Sequence, residues 1–169
     1  MTTLRVAVPG DEAAVAAVHV RAWQAAYRGI FDDAFLDGLE PEGRMQRYRF
    51  GADGPHDPAT ALAEDDGRVL GFVSYGPGRD EDAQRLGEVY ALYVDPDRGG
   101  RGVGRALMAR AQDDLVARGY DQVILWVLTE NVAAQRFYRA DRWRPDGGYR
   151  REDVWDVPAV VLRMRRWLA

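Results

Sequence analysis

The densest run of residues able to do chemistry is Val94-Asp95-Pro96-Asp97-Arg98-Gly99-Gly100-Arg101-Gly102-Val103-Gly104-Arg105-Ala106-Leu107. An apolar strand-like segment precedes it, and apolar residues spaced four apart follow it, so the run joins a strand to a helix. Glycines there let successive backbone N–H groups point inward together, and a helix N-terminus adds partial positive charge. A turn of that kind binds phosphate or pyrophosphate. Arg98, Arg101 and Arg105 would add charge-assisted contacts. The plain alternative is a glycine-rich corner, but four glycines in six residues beside three arginines are more than a corner requires. Two other nucleotide patterns fail on spelling. The phosphate-loop pattern ends in Gly-Lys, and the chain has no lysine. The dinucleotide pattern G-x-G-x-x-G breaks at both starts: Gly100 and Gly102 lead to Arg105, and Gly102 and Gly104 lead to Leu107.

Absences narrow the chemistry further. No cysteine is present, which removes disulfides, thiolate metal sites and a cysteine nucleophile. Without lysine there is no Schiff base. His19 and His56 are the only histidines, and their spacing suits no metal site, so no metal is expected. A net charge of -4 argues against non-specific nucleic-acid binding. The cluster Arg163, Arg165 and Arg166 reads as a solvated strand edge. No apolar run reaches about 18 residues, so no membrane span is expected, and the N-terminus does not read as a secretory signal. A cytoplasmic protein is expected.

The elements that must position the turn follow from periodicity. Leu4 to Val8 reads as a strand, and Asp11 caps a helix running to about Tyr27 with Val15, Val18 and Ala22 on its apolar stripe. A second helical stretch lies within residues 32–50, interrupted near Gly38 and Pro41. Residues 51–58 read as loop. Thr60 to Glu64 and Arg68 to Tyr75 read as strands joined at Asp65-Asp66-Gly67. Residues 76–87 read as a polar, mobile loop, and Glu88 to Val94 as a strand. A helix with Val103, Leu107, Ala111 and Leu115 follows, ended by Gly119. Gln122 to Val127 is a doubly buried strand, Asn131 caps a helix to about Ala140, and residues 143–167 hold two more strands, Ala159 to Met164 the surer. The order is β-α-α-β-β-β-α-β-α-β-β, a single mixed α/β domain over residues 1–169.

With Val94-Asp95-Pro96, the Gly-x-Gly turn and the patterned helix in place, the chain resembles the GNAT superfamily of N-acetyltransferases. The second signature lies in Asn131-Val132-Ala133-Ala134-Gln135-Arg136-Phe137-Tyr138, closed by Trp143. Two positions depart from the family pattern. Gly99 stands where Gln or Arg is usual, with Arg98 one residue earlier, and Arg142 stands where a glycine is usual. The resemblance implies a central mixed, mostly antiparallel sheet flanked by helices. It implies acetyl-CoA as acyl donor, with its pyrophosphate on the backbone of Gly99, Gly100, Arg101, Gly102, Val103, Gly104 and Arg105. The pantetheine arm would run between the strand ending at Val94 and the strand ending at Val127, paired with backbone groups of Leu92, Tyr93 and Val94, which would also polarise the thioester.

Asn131 and Tyr138 lie seven residues apart, so they share a helix face about 10 Å apart. Asn131 would contact the pantetheine arm, and Tyr138 is the candidate general acid for the leaving thiolate. An ordinary phenol is a weaker acid than a thiol by roughly 2 kcal/mol, so Tyr138 acts mainly as a hydrogen-bond donor unless its pKa is lowered. Glu88, read as sharing a strand face with Tyr90, Leu92 and Val94, is a candidate general base or an ordinary strand-end carboxylate. Trp23, Tyr27 and Tyr90 would border the acceptor pocket or pack the core, and His19 reads as structural. With no cysteine, direct attack in a ternary complex is expected. The acceptor would be a small-molecule amine or a peptide or protein amine; the alternative is a CoA-binding sensor without turnover. A homodimer through the C-terminal strands is the assembly considered.

Overall fold

Two apolar runs, Ala59–Asp65 (β2) and Arg68–Pro77 (β3), close into a hairpin on Asp66 and Gly67, whose φ values of 48° and 74° match the twist of paired strands. The remaining strands extend that hairpin in both directions. The computed structural model describes residues 1–51, 54 and 56–168; of the expected loop at 51–58, residues 52, 53 and 55 lie outside the described residues. Thr3–Val6 (β1) pairs with β2, and Gly87–Val94 (β4) with β3. Gln122–Leu128 (β5), Arg144–Val154 (β6) and Val157–Trp167 (β7) complete a seven-stranded sheet of order β1-β2-β3-β4-β5-β7-β6. Every neighbouring pair is antiparallel except β4 and β5.

Helices cover both faces. Val103–Ala117 (α4) buries Val103, Leu107, Ala111 and Leu115, the stripe read from the sequence, against Val73, Val89, Val123 and Leu125. Each fully buried leucine there stabilises by roughly 1.5–3 kcal/mol. Glu12–Ala26 (α1) covers the opposite face, where Val15 and Val18 meet Leu62 and Phe72. The expected second helical stretch is two single turns, Asp33–Asp37 (α2) and Pro41–Met45 (α3), separated at Gly38 and Pro41 as the breakers require. Val132–Ala140 (α5) starts at Asn131, whose Oδ1 accepts from the Ala134 N–H at 3.1 Å. No helix among the described residues is long and apolar enough to cross a membrane.

Three features differ from the sequence reading. Residues 76–87 are not an open loop: β3 reaches Pro77, a 3-10 turn spans Glu81–Ala83, and Asp80 accepts from the Trp126 indole at 2.8 Å and pairs with Arg150. Arg163 is not solvated; it is mostly buried between Asp82 and Asp146, at 2.8 Å from each, and Arg165 joins Asp146 at 3.1 Å. β6 and β7 are each 11 residues long, joined by Trp155 and Asp156 at φ 52° and 64°. A Trp-Asp pair carries no hairpin signature, so the turn was not visible in the sequence.

Arg142, where the family has glycine, adopts φ 66° just after α5. A side chain in that left-handed region costs about 1–2 kcal/mol, of which glycine's greater unfolded-state freedom returns part. Arg142→Gly should therefore raise stability to denaturant by about 0.5 kcal/mol, and Arg142→Ala should give no such gain.

Candidate active site

The sheet opens where its one parallel pair ends. β4 and β5 are in register only at Gly87–Val123, Glu88–Ile124 and Val89–Leu125. Beyond that point β4 stays paired with β3 to Val94, while β5 stays paired with β7 to Leu128. The facing edges of residues 90–94 and 126–128 are left without a strand partner. Between them lies a cleft of about 560 Å³, closed above by α1, at one side by α5 and at its outer end by the β6–β7 turn.

A bulge re-aims the side chains of β4. Tyr75 pairs with Val89 and Ser74 with Ala91, so Tyr90 is the extra residue. The alternation therefore flips. Val89, Leu92 and Val94 join the α4 face, while Ala91 and Tyr93 join the α1 face. Glu88, adjacent in register to Ile124, stands on the face opposite Leu92 and Val94, which corrects the shared face read from the sequence. Its buried carboxylate accepts from the Arg79 N–H at 2.8 Å and from Arg79 Nη2 at 2.7 Å, and it is not among the residues lining the cleft. Tyr90 does line the cleft, with the Arg79 guanidinium 4.2 Å above its ring and its hydroxyl donating to the Pro77 carbonyl.

Beyond β4 the chain makes a 3-10 turn at Pro96–Arg98, then passes through Gly100 and Gly102 at φ 79° and 78° into α4. None of the N–H groups of residues 100–105 donates to a main-chain or side-chain acceptor among the described residues. They form a row of free donors at a helix start, flanked by Arg98, Arg101 and Arg105, which make no ion pair among the described residues. That is the chemistry a pyrophosphate needs.

Asp95 holds this turn in place. It is fully buried; its Oδ2 accepts from Arg21 of α1 and Arg68 of β3 at 2.9 Å each, and its Oδ1 from the Asp97 N–H at 3.1 Å. Burial alone would raise its pKa, but Arg68, the Asp97 N–H and Arg21 together hold it below the usual carboxylate range. Sequence reasoning passed over Asp95 as part of a strand stop, because its burial and its two arginine partners come from distant segments.

On the α1 face the cleft is aromatic. Trp23, Tyr27 and Tyr93 line it together with Asn131 and Tyr138 from α5. Burial, reinforced by nearby Tyr93, pushes the Tyr138 phenol well above its ordinary value, so it stays protonated. Burial likewise raises Tyr93 and Tyr27. His19 stacks on Tyr93 at 4.4 Å and its Nδ1 is hydrogen-bonded to the Tyr48 hydroxyl. Burial, then Arg44, lowers His19 to about 3, which keeps it neutral. Trp155 closes the outer end, stacked on Trp23 at 4.3 Å, with the Arg44 guanidinium 3.6 Å above its ring.

The structure thus brings Trp23, Tyr27, Tyr90, Leu92, Tyr93, Val94, Asn131 and Tyr138 to one cleft and leaves Glu88 outside; of the turn only Pro96 lines it, with Gly104 packed near Val94 and Phe137. Trp126, Glu152 and Trp155 also line it and were missed. Trp126 sat inside an apolar run, and the other two depend on a turn without a sequence signature.

A family model described as the acetyltransferase (GNAT) family matches residues 20–141. The uncharacterized N-acetyltransferase YuaI of Bacillus subtilis is 32% identical over 164 residues, 96% of this chain and 90% of that protein. The chain belongs to the GNAT acetyltransferase family. Mycothiol acetyltransferase of Kocuria rhizophila is 42% identical over 57% of this chain, which spans about a third of that longer protein, 33% by alignment. Among solved structures, yncA of Salmonella typhimurium with acetyl-CoA superposes at a TM-score of 0.70, with 23% identity over 99% of this chain and 94% of that one. The seven-stranded, mostly antiparallel sheet flanked by helices thus matches GNAT structures.

The buried Asp95 makes a pH-dependent contribution. Its native pKa is depressed, so its stabilisation is present above the unfolded value near 3.9 and is lost as pH falls through the lower native one. Asp95→Asn should lower stability at pH 7 by about 1–3 kcal/mol and flatten the loss of stability below about pH 4. Denaturant titrations at pH 7 and pH 3 measure both.

Proposed function

We propose that this GNAT chain transfers an acetyl group from acetyl-CoA to a primary amine by direct attack in a ternary complex. The observation that carries the reading is the alignment of three features: free N–H groups at residues 100–105, unpaired strand edges at residues 90–94 and 126–128, and the protonated Tyr138 beside them. Acetyl-CoA supplies an activated thioester, whose carbonyl carbon gains the amine nitrogen as its C–S bond breaks. The turn binds the pyrophosphate, and the open edge of β4 offers main-chain donors to the arm and to the negative charge that develops on the carbonyl oxygen. Tyr138 donates a hydrogen bond to the departing sulfur and keeps its own proton, because its raised pKa makes full transfer costlier still.

The amine must lose a proton to attack. His19 is too weak a base, and the Glu88 carboxylate is occupied by Arg79. We assign deprotonation to cleft water and give Glu88 a positioning role through Arg79 and the segment behind Tyr90. The relatives' names span a small acceptor, mycothiol, while a structural neighbour from Escherichia coli is named for the alanine of ribosomal protein S18. The cleft, closed at its outer end by Trp155, favours the smaller kind.

Thiol release with an amine panel tests this reading. Tyr138→Phe should lower kcat about a hundredfold while acetyl-CoA still binds, and Glu88→Gln should cost less than about tenfold. Between about pH 6 and 9, kcat/KM should rise with a single limb that moves with the pKa of the amine used. A second ionisation that stays fixed as the amine is changed would reveal an enzyme base and overturn the water assignment. Full activity in Tyr138→Phe would remove Tyr138 from the chemistry, and binding without turnover of any amine would favour a CoA sensor.

A further inference from the structure

A second cavity of about 520 Å³ adjoins the cleft at the end of the β2–β3 hairpin, reaches from the segment after α3 to the end of α4, and shares Tyr90 and Ala91 with the cleft as a common wall. Its floor is the hydroxyl pair of Thr60 and Ser74, 2.7 Å apart, and Tyr48 and Phe50 form aromatic walls. Among the described residues four arginines line it, Arg47, Arg49, Arg79 and Arg118, against one carboxylate, Asp114. Arg79 is committed to Glu88. Asp114 is committed to Arg110 and to the Tyr75 hydroxyl. Arg118 uses one nitrogen on the Asp57 carbonyl at 2.8 Å, and Arg47 and Arg49 make no ion pair among the described residues. Three cations without an ion pair among the described residues thus line this cavity, Arg47 and Arg49 from the segment after α3 and Arg118 from the end of α4, in a chain whose net charge is -4. A concave wall lined by one sign of charge concentrates ions of the other sign.

We propose that the acceptor is a primary amine that also carries an anionic group, a carboxylate or a phosphate, held in this second cavity by Arg47, Arg49 and Arg118. The amine then reaches the cleft past Tyr90 and Ala91. The overall acidity of the chain points the other way, toward a purely cationic amine, but the local charge is what an acceptor meets. This inference rests on the proposed acetyl transfer and narrows its substrate class. The bulge gives it a structural basis: by inserting Tyr90 it turns Ala91 onto the α1 face, so the strand edge of the cleft and the floor of the second cavity lie side by side.

Matched pairs of amines test it. Straight-chain ω-amino acids of two to six carbons are compared with their primary amides, and phosphoethanolamine with ethanolamine, by thiol release and by thermal stabilisation in the presence of CoA. The carboxylate and phosphate arms separate the two anion chemistries. In at least one arm the anionic member should exceed its neutral partner by about tenfold or more in kcat/KM, an advantage that shrinks as salt rises. In the Arg47→Gln/Arg49→Gln variant that preference should fall by about tenfold, with the KM for acetyl-CoA unchanged. Neutral members matching the anionic ones in both arms, in turnover or, where nothing turns over, in stabilisation, would overturn the proposal while leaving acetyl transfer intact. Absence of stabilisation by CoA itself would instead count against the proposed function.

Discussion

One interrupted strand pairing governs this molecule. β4 and β5 run parallel for three registered residues and then part, each still held on its outer side by an antiparallel neighbour. Unpaired main-chain groups inside a protein are costly, so a gap of this kind persists only if something else satisfies them. The same gap gives the cleft its depth and aims the helix start of α4 at its end. The Tyr90 bulge belongs to this arrangement, because it lets β4 stay with β3 while its side chains change faces. The aromatic wall, the placement of Tyr138 and the access to the second cavity all follow from where the two strands separate.

Charge in the site is organised by arginine alone. A buried carboxylate, Asp95, gathers arginines from α1 and β3 and so ties both faces of the sheet to the glycine turn. Glu88 does related work at the other end of β4, where it fixes Arg79 over Tyr90. Two of the groups on the aromatic side of the cleft are held neutral: burial keeps His19 unprotonated and Tyr138 protonated, while the Glu152 carboxylate at the β6 margin is paired with Arg150. Largely uncharged walls with arginines at the margins are what an anionic donor bound at one end of the cleft would require. Polar donors there act more strongly than they would in water.

Much of this was legible in the sequence because the informative features were local. The glycine turn declares itself by composition, and α4 by residues spaced four apart. Asn131 and Tyr138 share a face by helical arithmetic, and both line the cleft. The chain's membership in the GNAT family was readable from two short signatures. What was not legible depended on pairing. A bulge has no fixed signature, so simple alternation placed Glu88 on the wrong side of β4. The Trp155 turn has no local signature, and the pinning of residues 76–87 by Asp80 arises from contacts with Trp126 and Arg150, segments distant in the chain. The second cavity was invisible for the same reason, since Arg47, Arg49 and Arg118 come together only in three dimensions.

The most direct test of the central claim is thermal unfolding with and without acetyl-CoA, with ATP and NAD as controls. If the free N–H groups of the turn and the parted strands form a donor site, acetyl-CoA at about 100 times its Kd adds about 2.7 kcal/mol. For a domain of this size that raises Tm by roughly 5 to 10 °C, and the controls give little. No rise with acetyl-CoA, or an equal rise with ATP, would contradict the account and leave only a general phosphate-binding turn.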